Sequence, residues 1–247
     1  MFPIRDHNPS EQTPYVVYAL IAANVIVFLA TLGLNENQAA LAAFYKDWAM
    51  IPARISAGEG WHTLVTSLFL HAGLLHLAGN MLFLWIFGDN LEEELGHLGF
   101  LVFYLLCGIG ADLAQLLFAP SSGIPTVGAS GAIAGVMGGY LLLYPRARVD
   151  ILFIFIIFFK VFPLPAWIML GLWFALQLFA GLAMDAGSGG VAYWAHAGGF
   201  VLGFLFVLPL WRKRGGAAYW RANDGRPPHP DAEYELTRSR IPRVRRR

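Results

Sequence analysis

Residues 128–144 read GASGAIAGVMGGYLLLY. The stretch has no charge and no proline, and Gly131, Gly135 and Gly139 recur every four residues. That spacing puts the three glycines on one face of a helix. Glycine inside a helix costs roughly 0.5–1 kcal/mol relative to alanine. A stripe of it is useful where another backbone packs directly against it. Small-residue faces hold helices together in membranes, where lipid tails leave no hydrophobic drive for helices to associate. Residues 195–211 read AHAGGFVLGFLFVLPLW and carry a matching G-x-x-x-G face at Gly199 and Gly203. The two stretches are read as neighbouring, closely packed membrane helices.

The rest of the chain fits that setting. Hydrophobic residues make up 57% of its 247 residues and charged ones only 13%, where soluble domains carry about 25% charge. Mean hydropathy is +0.56. These values exclude a disordered chain, a nucleic-acid binder and an ordinary soluble enzyme. The net charge of +1 names no partner, and one cysteine, Cys107, excludes an intrachain disulfide or a cysteine zinc site. A helix needs about 20 apolar residues to cross the hydrocarbon core. Such stretches occur at 15–34, 64–87, 98–119, 163–184 and 191–211, and a shorter, Gly-rich one at 128–144 is read as the fourth of six spans. The apolar run 151–162 is too short to span and is cut off by Pro163 and Pro165; it is expected to be a buried or interfacial lead-in to the fifth span.

With the N-terminus inside, Arg5, Arg146, Arg148, Lys160 and the basic C-terminal segment face the cytoplasm, leaving only Lys46 and Arg54 outside. The positive-inside rule therefore selects cytoplasmic N- and C-termini. The N-terminus reads as a poor signal peptide, with a weak basic region and an apolar stretch long enough to span. The expected fold class is an all-α integral membrane protein, a six-transmembrane-helix bundle. It divides into a cytoplasmic segment (1–14), the six-span domain (15–211) and a basic cytoplasmic tail (212–247) expected to be disordered. Arg243, Arg245, Arg246 and Arg247 could reach anionic headgroups, though a solvated tail that fixes topology is the simpler reading. The long outer loop 35–60, with Phe44, Tyr45 and Trp48, is expected in the headgroup zone.

Polar side chains inside spans are costly and point to function. Ser130 alone would be a helix-bonding serine. Its position at the N-terminal end of the fourth span changes that: free N–H groups and the positive dipole end favour an anion. Gly128 and Gly131 flank it, so a substrate backbone can approach. The segment is not a G-x-S-x-G elbow, because Ala132 holds the fifth position and no strand precedes it. His196 opens the sixth span at the same depth, and the glycine faces would bring its imidazole to the Ser130 hydroxyl as a general base. His76 and Asn80, four residues apart on the second span, share a face and could hold an oxyanion together with the Ser130 N–H. Taken alone, that pair would be a polar interhelical clamp. Asp112 and Gln115 on the third span and Gln177 on the fifth are the other polar residues. His62, His71 and His76 have no carboxylate among them and form no H-E-x-x-H zinc motif. A small transporter is disfavoured because no internal repeat is found.

Several motifs together resemble the rhomboid intramembrane serine proteases. They are His71-x4-His76-x3-Asn80, Gly128-Ala129-Ser130-Gly131 and Ala195-His196-x-Gly198-Gly199-x3-Gly203. Trp61 with Thr66 and Phe69, Glu92-x-x-Leu95-Gly96, Pro165-Ala166-Trp167 and Trp173-x3-Gln177 fit the same pattern. The resemblance covers residues 15–211. It implies a Ser–His dyad with no metal and no soluble cofactor: Ser130 as nucleophile, His196 as base, and His76 and Asn80 as oxyanion donors. It also implies His71 near a water-retention site in the cavity, and Gly198 and Gly199 at a tight helix contact. Two positions depart from the family. His62 stands where an arginine is usual. Ala134 stands where some members carry a tyrosine that stacks on the histidine, so the group that orients His196 is unnamed. The implied function is cleavage of transmembrane protein substrates in or near their spans. The alternative is a catalytically silent rhomboid-like binder of transmembrane helices. The implied partners are such substrates and the lipid bilayer, without nucleic acid. The Gly- and Ala-rich single domain suggests a bacterial inner membrane.

Overall fold

The computed structural model describes residues 2–155, 158–183, 190–230 and 232. In chain order these form β1 (Phe2–Asp6), α1 (Tyr15–Thr31), α2 (Gln38–Trp48), α3 (Pro52–Ser56), α4 (Thr63–Thr66), α5 (Leu74–Leu95), α6 (His97–Phe118) and α7 (Ser130–Leu143). They continue as β2 (Arg148–Phe155), β3 (Phe158–Pro165), α8 (Ala166–Ala183), α9 (Tyr193–Lys213) and α10 (Ala217–Ala222). Met184, the end of the expected fifth span, lies outside the described residues.

Helix α7 is the centre of the bundle. Every residue in it except Ser130 and Leu141 is buried. Helix α9 packs on it backbone to backbone: a Cβ on Gly199 would overlap the Gly131 carbonyl, and one on Gly203 would overlap that of Gly135. The expected glycine pairing is therefore present, with a refinement. Gly131 and Gly135 themselves abut Ala111 and Cys107 of α6, each 2.5 Å from where a Cβ would stand. Gly198 faces Ala114 of α6 rather than α7. The small residues thus make a three-helix junction of α6, α7 and α9, closer than side chains would allow.

Among the described residues four helical segments are long and apolar enough to cross a membrane: the one beginning with α1, then α6, α8 and α9. A fifth is possible if α5 is joined to the helical segment before it. Helix α7 has 14 residues, about 21 Å at 1.5 Å per residue and short of the ~30 Å core. The last residue of its approach loop, Ala129, is fully covered, and residues 126–128 before it are half-buried; non-helical backbone is tolerated at membrane depth where protein covers it or it lines a cavity. The expected second span, 64–87, is displaced. Residues Thr63–Phe69 are helical but meet Leu74–Leu95 at 95°, because Leu70 and Gly73 are extended.

Helix α1 has no side-chain cap of its own. The buried Glu92 carboxylate of α5 supplies one, accepting the Val16 and Val17 N–H groups at 2.8 Å each. The acidic motif after the second span therefore fastens the first.

The all-α expectation fails at the terminal end of the bundle. There β1, β2 and β3 form an antiparallel sheet in the order β1-β2-β3. The described residues of the apolar run 151–162 lie on β2 and β3, so the lead-in to α8 is made of strands. Short apolar runs do not distinguish a strand from a buried helix segment by period. Pro163 and Pro165 sit on the edge strand β3 opposite Asp150 and Arg148, where a missing N–H is tolerated. Asp150 ties the sheet together by accepting from Arg5 Nε at 2.8 Å and His7 Nε2 at 2.7 Å. Burial pushes its carboxyl up, but those hydrogen bonds outweigh it and hold the pKa below the usual value.

The expected disorder of the tail is corrected for residues 212–230. Arg214 pairs with Glu94, Trp220 Nε1 donates to the Leu142 carbonyl at 2.9 Å, and His229 Nε2 donates to Glu93 at 2.7 Å. The Ala232 N–H reaches the His7 carbonyl at 2.7 Å. Both terminal segments thus meet at the end of the bundle away from Ser130. Arg243, Arg245, Arg246 and Arg247 lie outside the described residues.

Candidate active site

Ser130 is the first residue of α7, and no side chain caps that helix terminus. The loop before it is held in three places. The Gly128 N–H donates to the Ser67 carbonyl at 3.0 Å. Ser67 Oγ donates to Asp112 Oδ2 of α6 at 2.7 Å, with both residues buried. Met50 and Thr126 pair through both backbone groups, at 3.2 and 2.7 Å. Gly128 has φ +132, a conformation open to glycine, and a Cβ there would stand 2.9 Å from the His76 ring. Glycine at that position is what admits the imidazole to the site.

His196 lies in the first turn of α9. Its Nε2 is 2.7 Å from Ser130 Oγ. Its Nδ1 is 2.9 Å from Gln177 Oε1 on α8. The ring lies beside Trp173, one turn earlier on α8, with centroids 5.8 Å apart and planes inclined by 35°. Ala134, where some relatives of the motif carry a tyrosine, is fully buried.

Ser130 and His196 open onto a cavity of about 470 Å³. His76 and Asn80 of α5 line it, as do Gly128, Gly131 and Asp112. Among the described residues Asn80 Nδ2 has no hydrogen-bond partner. An unpaired buried donor is unusual in a folded protein, and here it borders the same space as the serine hydroxyl. His71 is placed differently. It packs edge-on against His76 with centroids 5.0 Å apart. It borders a separate space of about 10 Å³ between α1 and α2, room for about one water. Of the other glycines, Gly198, Gly199 and Gly203 act one layer back, at the helix junction. His62, in place of the usual arginine, donates to the Asp47 carbonyl at 2.8 Å and so ties residues 47 and 62 together.

The sequence reading brought Ser130, His196, His76, Asn80 and Gly128 to one site, and the structure places all five around one cavity. It missed the Ser67–Asp112 bond and the contact of Gln177 with His196. Asp112 and Gln177 stand out as polar residues in apolar helices, but nothing in the sequence names their partners across 45 and 19 positions.

A family model described as the rhomboid domain matches residues 58–213. The chain belongs to the rhomboid family. Its apolar helices and this family make it an integral membrane protein. It is 38% identical over 130 residues to the rhomboid protease GluP of Bacillus subtilis, covering 52% of this chain and 24% of that one. It is 32% identical over 204 residues to the mitochondrial rhomboid protein 1 of Saccharomyces cerevisiae, covering 77% and 52%. It is 45% identical over 76 residues to the chloroplastic rhomboid-like protein 11 of Arabidopsis thaliana, covering 31% and 27%. The matched segments thus span about a quarter to a half of these relatives. Rhomboids as a family are intramembrane proteases, and some members are inactive. Relatives from mitochondria and chloroplasts mean that the family does not single out a bacterial inner membrane.

Proposed function

We propose that this chain is an active intramembrane serine endopeptidase that cleaves transmembrane proteins in or near their spans. The observation that carries the reading is the 2.7 Å contact between Ser130 Oγ and His196 Nε2 at the wall of a cavity. In the proposed mechanism the Ser130 Oγ–H proton passes to His196 Nε2 as Oγ bonds to the substrate carbonyl carbon. The carbonyl oxygen takes the negative charge. The Ser130 N–H at the helix start, Asn80 Nδ2 and His76 donate to it. The imidazolium then protonates the leaving amine, and water hydrolyses the acyl-serine by the same path in reverse. Dry walls strengthen each of these hydrogen bonds. His71, beside its one-water space, would help supply that water, and Gly131, Gly198, Gly199 and Gly203 would hold the dyad's helices together.

We place the catalytic domain at residues 15–211, with six crossings and both termini cytoplasmic. The positive charges favour that orientation. The meeting of both terminal segments at one end supports an even number of crossings. The cavity then opens toward the outer side.

The test is labelling by a serine-reactive fluorophosphonate together with cleavage of a model transmembrane substrate in proteoliposomes. The native protein should label and cleave. Ser130→Ala and His196→Ala should do neither while remaining inserted. Absence of both activities in the native protein would favour the silent helix binder.

A further inference from the structure

We propose that Gln177 positions His196: its side-chain carbonyl accepts the Nδ1–H and so fixes the tautomer whose Nε2 faces Ser130. This rests on the proposed Ser130–His196 dyad. An amide oxygen carries no proton, so with Gln177 Oε1 2.9 Å from His196 Nδ1 the contact is a hydrogen bond when the ring hydrogen is on Nδ1. A neutral imidazole has one N–H. Its remaining lone pair is then on Nε2, 2.7 Å from Ser130 Oγ, where a base needs it. The opposite tautomer would present an N–H to the serine and could not take its proton.

In soluble triads a buried aspartate does this work. Here no carboxylate is free to do so among the described residues of the site. Asp112 lines the same cavity, but it accepts the Ser67 hydroxyl on α6. A neutral amide suits the setting, since an ionised acid in a membrane helix carries a large desolvation cost. Helix α8 also supplies the ring wall. Trp173 and Gln177 are four residues apart, on one face, and both touch His196. Together they replace what Ala134 cannot give. Only Ala166 and Leu170 of α8 are fully buried, so a polar amide on this otherwise apolar helix needs a partner, and His196 is that partner.

The proton balance holds through the cycle. During acylation the proton leaves Oγ for Nε2, Oγ bonds to carbon, and Nδ1–H stays on Gln177. When Nε2 gives its proton to the leaving amine, the ring returns to the same tautomer.

The experiment uses the full chain in nanodiscs with nitrogen-15 histidine, the His196 signals being assigned by their loss in His196→Ala. It compares the native protein with Gln177→Leu and Gln177→Glu, reading kcat and KM on a model transmembrane substrate beside the nitrogen-15 spectrum. The native ring should show protonated Nδ1 and bare Nε2. Gln177→Leu inserts at least as readily as glutamine. It should lose about 10- to 100-fold in kcat, less than the ~10⁴ lost when a triad aspartate becomes asparagine. Its KM should hold and its tautomers should mix. Gln177→Glu keeps an acceptor oxygen and should recover the native tautomer and most of the rate. Native kcat and tautomer in Gln177→Leu, a change confined to KM, or a native ring protonated on Nε2 would each overturn the proposal. If the native protein neither cleaves nor labels, the proposed protease function falls, while the nitrogen-15 arm still decides whether Gln177 sets the tautomer.

Discussion

Replacing Gly199 with alanine adds one methyl group where α9 touches α7. The new Cβ would stand against the Gly131 carbonyl, 3.0 Å from its carbon and 3.3 Å from the Ala111 Cβ. Non-bonded carbons settle at about 3.5–4.0 Å, and the Gly131 carbonyl oxygen is nearer still, so the helices must part by at least about 0.5–1 Å. Ser130 is the neighbour of Gly131, and its hydroxyl is 2.7 Å from His196. Adding the upper end of that shift gives about 3.7 Å, beyond a hydrogen bond. A misplacement near 1 Å costs about 10² in rate. Overpacking should also lower stability by about 1–3 kcal/mol, offset in part by the better helix propensity of alanine, about 1 kcal/mol. Two controls bracket the effect. Gly171→Ala on α8 meets nothing within 4 Å and should leave rate and melting point at native values or slightly higher. Gly198→Ala presses on Ala114 of α6, so it should lower the melting point more than kcat. The assay is cleavage of a transmembrane substrate in proteoliposomes, with thermal unfolding in detergent. Native kcat and native melting in Gly199→Ala would refute the argument that backbone contact between these helices sets the dyad.

Asn80→Ala should lower kcat by about 10²–10³ with KM nearly unchanged, because the donor engages only the developing oxyanion; a rise in KM at native kcat would make Asn80 a substrate-binding group. Glu92→Ala strips the cap from α1 and should cost about 1.5–3 kcal/mol of stability. Its kcat should stay near native, since Glu92 lies 16 positions (92 − 76) beyond His76, about 24 Å along α5; thermal unfolding and turnover measured on the same preparation check this. Burial first, and the neighbouring Asp89 second, push the Asp6 pKa up from 3.8 to about 8. The folded state therefore holds a proton that the unfolded chain releases, so this contribution is full below about pH 4 and is lost as pH rises through about 8. Melting points of the native protein should fall across that window and those of Asp6→Asn should fall less; parallel curves would show that Asp6 is not the group responsible.

The sequence by itself determined the membrane bundle, because burying this much apolar chain with so few charges leaves no soluble alternative. It also determined the pairing of α7 with α9. Glycines every four residues on two helices are costly unless backbones touch, and touching backbones put Ser130 and His196 at one depth. His76 and Asn80 were legible for a similar reason, as two polar groups one turn apart in an apolar helix. The spacing stopped being informative where the helical period ended. The run 151–162 is apolar at nearly every position, so no period separated strand from helix, and only its pairing with β1 decided the matter. Residues 212–230 have a composition that suits a solvated tail. They are ordered because Glu93, Glu94 and the Leu142 carbonyl present partners at the end of the bundle, and that arrangement exists only once α5, α7 and α9 have assembled. Gln177 and His196 are on different helices, as are Ser67 and Asp112 in different segments. A hydrogen bond between helices depends on their rotation and depth to within an ångström. That is set by the packing of the whole bundle and by no local pattern in the chain.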